Sequence, residues 1–180
     1  MQTLNFFRIA EQYVKSNCND ELLRTEQRKF EDQSASSFLD QYTYVVFNSG
    51  MKNQVAKKIL QRFIESGSDP NAINHLAKKE AIKQLHLKYK EWFQGLRDAN
   101  DKFEYLESLP MMGPITKYHL ARNMGIDCAK PDRHLQRLAD RFGYSNVQTM
   151  CREIANESGY RIGTVDLILW RYCNEHSDYY

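Results

Sequence analysis

Apolar residues along the chain recur at intervals of three, four and seven. Ile82, Leu85, Tyr89, Trp92, Phe93 and Leu96 make one such stripe, and Val55, Ala56, Ile59, Leu60, Phe63 and Ile64 another. This spacing puts one face of a helix against a core. The second helix should stop at Gly67, and Asp69-Pro70 reads as a cap followed by proline at the first helical position. Leu135, Leu138, Ala139 and Phe142 form a further stripe closed by Gly143. Ser145 with Gln148 reads as a capping box for a helix to about Glu157. Val165, Ile168, Leu169, Tyr172 and Cys173 mark the last helix, after which the tail beyond Asn174 is expected to fray. The run FLDQYTYVVFN, residues 38–48, has the β-branched and aromatic content of a strand. Ser36 or Ser37 is a good cap for it and its neighbours are helical, so it reads as a buried helix. No run alternates polar and apolar residues, and the pattern predicts an all-α protein of about ten short helices.

At 180 residues, the chain is long enough for one large domain or two small lobes. No apolar run approaches the roughly 18 residues that a membrane-spanning helix needs. The start, MQTLNFFRIAEQYVK, lacks the pattern of a secretory signal, so an intracellular location is expected. The cysteines at 18, 128, 151 and 173 form no Cys-x-x-Cys pair. A zinc ribbon or disulfide scaffold is therefore not expected, and their dispersal does not suggest an iron–sulfur cluster. The net charge of +2 decides little, but it is unevenly placed. Lys52 to Lys90 holds nine Lys/Arg against three acids, and Gly113 to Arg141 six against three. Either window could face a polyanion, though a solvated helix face has the same composition.

The stretch LPMMGPITKYHLARNMGIDCAKPDRH, residues 109–134, contains two turns that ask for more than packing. Phe103, Leu106 and Leu109 end one helix, Pro110 to Gly113 make a tight turn, and Pro114 starts the next helix. Gly113 allows backbone conformations closed to other residues and exposes amides at a helix start, where a phosphate can be held. In the second turn Asp132 follows Pro131 and opens the helix RHLQRLADRF. An N-cap there contributes about 1 kcal/mol, and the helix dipole also keeps such a carboxylate ionised and aimed outward. One short helix separates the turns, so hairpin and carboxylate are expected to be near neighbours.

LPMMGPIT and GIDCAKPDRHLQRLADRFG together resemble the signature of the helix-hairpin-helix, Gly/Pro-Asp (HhH-GPD) superfamily of base-excision DNA glycosylases. Leu109, Pro110, Gly113 and Thr116 match the hairpin, about residues 103–123. Pro131, Asp132, His134, Leu135 and Arg137 match the Gly/Pro-Asp loop, about 125–134. FLDQYTYVVFNSGMKNQVAKKI is similar to the helix and loop before the family's DNA-inserting wedge, and YRIGTVDLILWRYC suits a closing helix. The resemblance spans about residues 36–173. It implies that the whole chain is a single glycosylase unit of two helical lobes without an iron–sulfur cluster, a monomer acting on double-stranded DNA that carries a damaged or modified base. Asp132 is the implied catalytic carboxylate. DNA contacts would come from Pro110, Met111, Met112, Gly113, Ile115, Thr116, Lys117 and His134, with Asn48, Met51, Lys52 and Asn53 at the wedge. Tyr42, Tyr44 and Trp170 are base-pocket candidates that also suit a core. No cofactor or catalytic metal is implied beyond a structural monovalent cation at the hairpin.

Two departures matter. Met111 stands where the family's first hairpin glycine would be, and Ile115 where lyase-type members carry their nucleophilic lysine. Lys117 lies two residues on, about 200° around a helix, and Lys130 is expected to be turned away by Pro131. The resemblance therefore favours a monofunctional glycosylase that flips out an alkylated or otherwise modified base and hydrolyses its N-glycosidic bond. A bifunctional glycosylase/lyase and a non-catalytic DNA-binding module remain alternatives. The setting would be the cytoplasm, nucleoid or another DNA-containing compartment.

Overall fold

The computed structural model describes residues 2–51 and 53–176, and of Asn53 only the backbone. Among the described residues there are ten α-helices and no strand. They fall into two compact units, one from Asp32–Met124 and one from the two flanking segments, Met1–Glu31 and Gly125–Tyr180.

The central segment opens with the third helix in chain order, α3 (Ala35–Asn48). The ambiguous run is helical, as its neighbours imply. Its cap is Ser34 rather than Ser36 or Ser37: Ser34 accepts the Ser37 amide, and the Ser37 hydroxyl returns to the Ser34 amide. That reciprocal pair fixes the first turn, and burial of Phe38, Tyr42, Val45, Val46 and Phe47 outweighs the strand preference of these residue types. Helix α4 (Asn53–Glu65) ends before Gly67, which is left-handed at φ +77°. Asp69 caps Pro70–Ala72 as expected, but as a single 3₁₀ turn. The long helix α5 (Leu76–Asp98) packs on α3 through Phe38–Phe93 and Tyr42–Trp92 ring contacts, with centroids 5.9 and 5.7 Å apart. Helices α6 (Lys102–Glu107) and α7 (Thr116–Asn123) form the hairpin.

The flanking segments supply α1 (Gln2–Asn17), α2 (Asn19–Gln27), α8 (Arg133–Arg141), α9 (Val147–Ser158) and α10 (Ile162–Glu175). Helix α10 is central to this unit, buried continuously from Gly163 to Leu169, and the other four helices pack on it. Phe7, Ala10, Val14 and Leu22 share a core with Leu135, Leu138, Met150, Ile154, Ile168 and Leu169. Glu175 is helical rather than frayed, and residues 177–180 lie outside the described set. The cap of α9 is Asn146, whose side chain accepts the Thr149 amide; the expected Ser145–Gln148 box does not form. Gln148 reaches elsewhere.

Candidate active site

Asp132 is the N-cap of α8, with extended backbone at φ −82°, ψ 172°. Its Oδ1 accepts the amides of His134 and Leu135 at 3.0 and 3.2 Å. Both are orphan donors of the first helical turn, so the helix itself orients the carboxylate. The side chain is only 13% exposed, drawn in rather than aimed outward. Lys130 is not turned away by Pro131: its ammonium lies 3.4 Å from Asp132 Oδ2. Burial pushes the His134 imidazole below its ordinary range, while Asp132 pulls it back up.

The loop that carries Asp132 is gripped along its length. Gly125 begins it at φ +83°, and a Cβ there would come within 2.6 Å of the Lys29 backbone, so only glycine fits. Arg161 donates to the carbonyls of Gly125 (2.7 Å) and Arg28. Asp127 accepts the Gly163 amide at 3.0 Å. Gln148 accepts the Ala129 amide (3.1 Å) and donates to the Ala129 carbonyl. Asp166 accepts the Lys130 amide. None of these four roles is visible in the sequence, because the partners are main-chain groups far away along the chain.

The hairpin corrects the role expected of Gly113. Its φ is not positive, and a Cβ there would meet only Thr116 Oγ1, at 3.9 Å. The residue held left-handed is Met111, at φ +62°. The Gly113 amide donates to Thr116 Oγ1 at 2.6 Å, so a phosphate contact at this amide requires the hydroxyl to yield that bond. Thr116 Oγ1 also lies 3.3 and 3.4 Å from the Met111 and Gly113 carbonyls. The Thr116 hydroxyl thus ties together the main chain of Met111 and Gly113 across the turn. Helix α7 starts at Thr116 rather than Pro114, with Ile115, 45% exposed, at its cap position. Met112 is buried, while Pro110 and Met111 are half-buried. Lys117 is held by Glu107, whose carboxylate keeps the ammonium above the usual lysine range.

Tyr42 is fully buried and its hydroxyl donates to the Pro110 carbonyl, so it presents no surface to a base and supports the hairpin instead. Tyr44 and Trp170 are half-buried. Tyr44 meets the His119 ring edge-on at 5.7 Å and accepts from Asn48 Nδ2 at 3.4 Å; the Arg171 guanidinium lies over Trp170 at 5.2 Å. Among the wedge candidates, Asn48 closes α3 and its carbonyl accepts the Met51 amide at 3.2 Å. Lys52 and the Asn53 side chain lie outside the described residues. Sequence reasoning missed Lys78, which counted toward a solvent-facing basic window. It is 3% exposed, and its ammonium donates to the carbonyls of Phe47 (3.0 Å) and Ser49 (2.8 Å), closing the C-terminal end of α3.

No protein-family model and no curated protein matches the sequence. Two solved structures do match in fold. One is Methanocaldococcus jannaschii 8-oxoguanine glycosylase/lyase in complex with DNA containing 8-oxoguanine, at 15% identity and a TM-score of 0.74, covering 95% of this chain and 98% of that one. The other is the 8-oxoguanine DNA glycosylase of Thermotoga maritima, at 16% identity and a TM-score of 0.74, covering 97% and 98%. The chain has the helical fold of these two glycosylases along nearly its full length.

Proposed function

We propose that the chain is a DNA glycosylase whose catalytic carboxylate is Asp132. The observation that carries this reading is the placement of Asp132: a carboxylate fixed by two helix amides, in a loop matching the Gly/Pro-Asp pattern, on the fold of two DNA glycosylases. Breaking an N-glycosidic bond builds positive charge on the sugar, as in glycoside hydrolysis. An anion held ready beside C1′ stabilises that charge or orients the attacking water, and the helix amides spare it reorganisation during the step. The base leaves the stack to be reached. In this reading the hairpin 110–117 of the central segment holds the DNA backbone, and His134, two residues from Asp132 in the other unit, adds a contact of its own. A monovalent cation held by the Met111 and Gly113 carbonyls with Thr116 would add positive charge for a phosphate.

The product is an intact abasic site. The resemblance places the lyase lysine at Ile115, and the nearby Lys117 is committed to Glu107 as a protonated ammonium. A second reading rests on one distance: the Lys130 ammonium lies 3.4 Å from Asp132, and once it has given up a proton its amine could attack C1′, displace the base and, as the sugar ring opens, form a Schiff base. The substrate is an alkylated or otherwise modified base in duplex DNA, and the names of the two similar structures add 8-oxoguanine to the bases to be tested. The test is incubation with duplexes that each carry one alkylated, oxidised, deaminated or naturally modified base, with and without hot alkali. Cleavage only after alkali supports the hydrolytic reading, cleavage without alkali the lyase one, and binding without either a non-catalytic module.

A further inference from the structure

Asp166 is the buried carboxylate among the described residues, 1% exposed on a helix whose buried positions are otherwise apolar apart from Gly163 and Thr164. Removing an ionised carboxylate from water costs several kcal/mol unless polar partners replace the water. Its Oδ2 accepts the main-chain amide of Lys130. The carbonyl of Lys130 in turn accepts the Asp132 amide at 2.8 Å, bridging Pro131. A two-bond relay therefore runs from the interior of α10 to the backbone of Asp132, and bonds in such chains polarise one another. One residue earlier, Gln148 of α9 takes both main-chain groups of Ala129, as a neighbouring strand would. The Pro131 ring fixes the remaining φ between these anchors.

We infer that Asp166 and Gln148 are positioning residues for the reaction: they set the main chain on which Asp132 stands, so base release depends on them although neither touches the substrate. The inference rests on Asp132 being the catalytic carboxylate. A helix cap alone needs neither side chain, because the α8 amides reach Oδ1 without them. A catalytic carboxylate does need them, because a displacement of about 1 Å at a reacting group costs about 10²-fold in rate.

The test compares Asp166→Ala, Asp166→Asn and Gln148→Leu with the unaltered chain. Single-turnover release from dimethyl sulfate-treated and 8-oxoguanine duplexes should fall about 10²-fold in Asp166→Ala and Gln148→Leu. Affinity for a duplex bearing a tetrahydrofuran abasic analogue should stay within about twofold, since phosphate contacts dominate it. Asp166→Asn keeps an acceptor oxygen and should recover most of the rate. In an Asp132→Asn background, Asp166→Ala should add no further loss, because the two act as one unit. Amide hydrogen exchange, which needs no substrate, should quicken at Lys130 and Asp132 in Asp166→Ala while the amides of α9 stay protected. Unchanged exchange and rate in a folded Asp166→Ala protein would overturn the inference, as would a parallel fall of rate and affinity. If Asp166→Ala does not fold, Gln148→Leu decides by the same readouts. Full activity in Asp132→Asn would instead remove the underlying functional reading.

Discussion

The ammonium of Lys130 stands 3.4 Å from Asp132 Oδ2, while Oδ1 of the same carboxylate takes the amides of His134 and Leu135. Each oxygen thus has its own partner, one a helix and one a side chain two residues upstream. Lys130 makes the question of a covalent intermediate a local one. With hydrolysis as the route, borohydride added during base release traps no protein–DNA adduct. Trapping that disappears in Lys130→Ala and persists in Lys117→Ala would establish the amine route.

Capping and catalysis at Asp132 separate cleanly in Asp132→Asn. Asparagine caps a helix about as well as aspartate, and replacement by alanine costs about 1 kcal/mol. Asp132→Asn should therefore melt close to the unaltered chain, while base release falls about 10²- to 10⁴-fold. Retained single-turnover excision in the folded variant sinks the assignment.

Met111 occupies the left-handed region at φ +62°, where the family pattern has glycine. That conformation costs an ordinary residue about 1–2 kcal/mol. Glycine relieves it but loses more freedom on folding, about 0.4–1 kcal/mol. Met111→Gly should raise stability by about 0.5 kcal/mol net of these opposing effects, and Met111→Ala should not raise it. Denaturant titration reads both.

Lys78→Met keeps the apolar stem and removes the ammonium that serves the Phe47 and Ser49 carbonyls. Leaving such buried acceptors unserved costs about 1–3 kcal/mol. Hydrogen exchange should quicken at Ser49 to Met51, just beyond α3, before it does in α5. Uniform exchange across both regions would show that the cap is not local.

His134 has a folded pKa below its ordinary 6.5, chiefly through burial. Between that lowered value and 6.5 the unfolded chain binds more protons than the folded one, so the His134 contribution to stability is lost as pH falls through this window. Asp132, Arg133, Arg137 and Lys130 all act on the ring. Subtracting the stability–pH curve of His134→Asn from that of the unaltered chain should leave a slope of this sign.

The ten-helix plan was legible because most helices carry a complete apolar stripe, as α5 does from Ile82 to Leu96. Even residues 38–48 were read correctly, since a buried helix between helices tolerates β-branched residues. What escaped were bonds to main chain at a distance. Gln148 sits where a capping box would use it, yet it spans to Ala129; Lys78 looks like one more surface base, yet it closes α3. Periodicity reports which face is apolar and is silent on such partners. At the hairpin, the missing glycine was visible in the sequence, but only backbone angles show that Met111 rather than Gly113 bears the unusual conformation.

The unit that holds Asp132 is made of two segments separated by the whole of Asp32–Met124. During synthesis at about 5–20 residues per second, α1 and α2 emerge many seconds before the helices that cover them. Phe7, Ala10, Val14 and Leu22, which end in that shared core, have only each other's helices until α8 to α10 arrive. Asp32–Met124 is continuous in sequence, so all of its helices, α3 to α7, are made before α8. A nascent or truncated chain therefore acquires the hairpin first and can acquire the Asp132 loop only after α10 has been made.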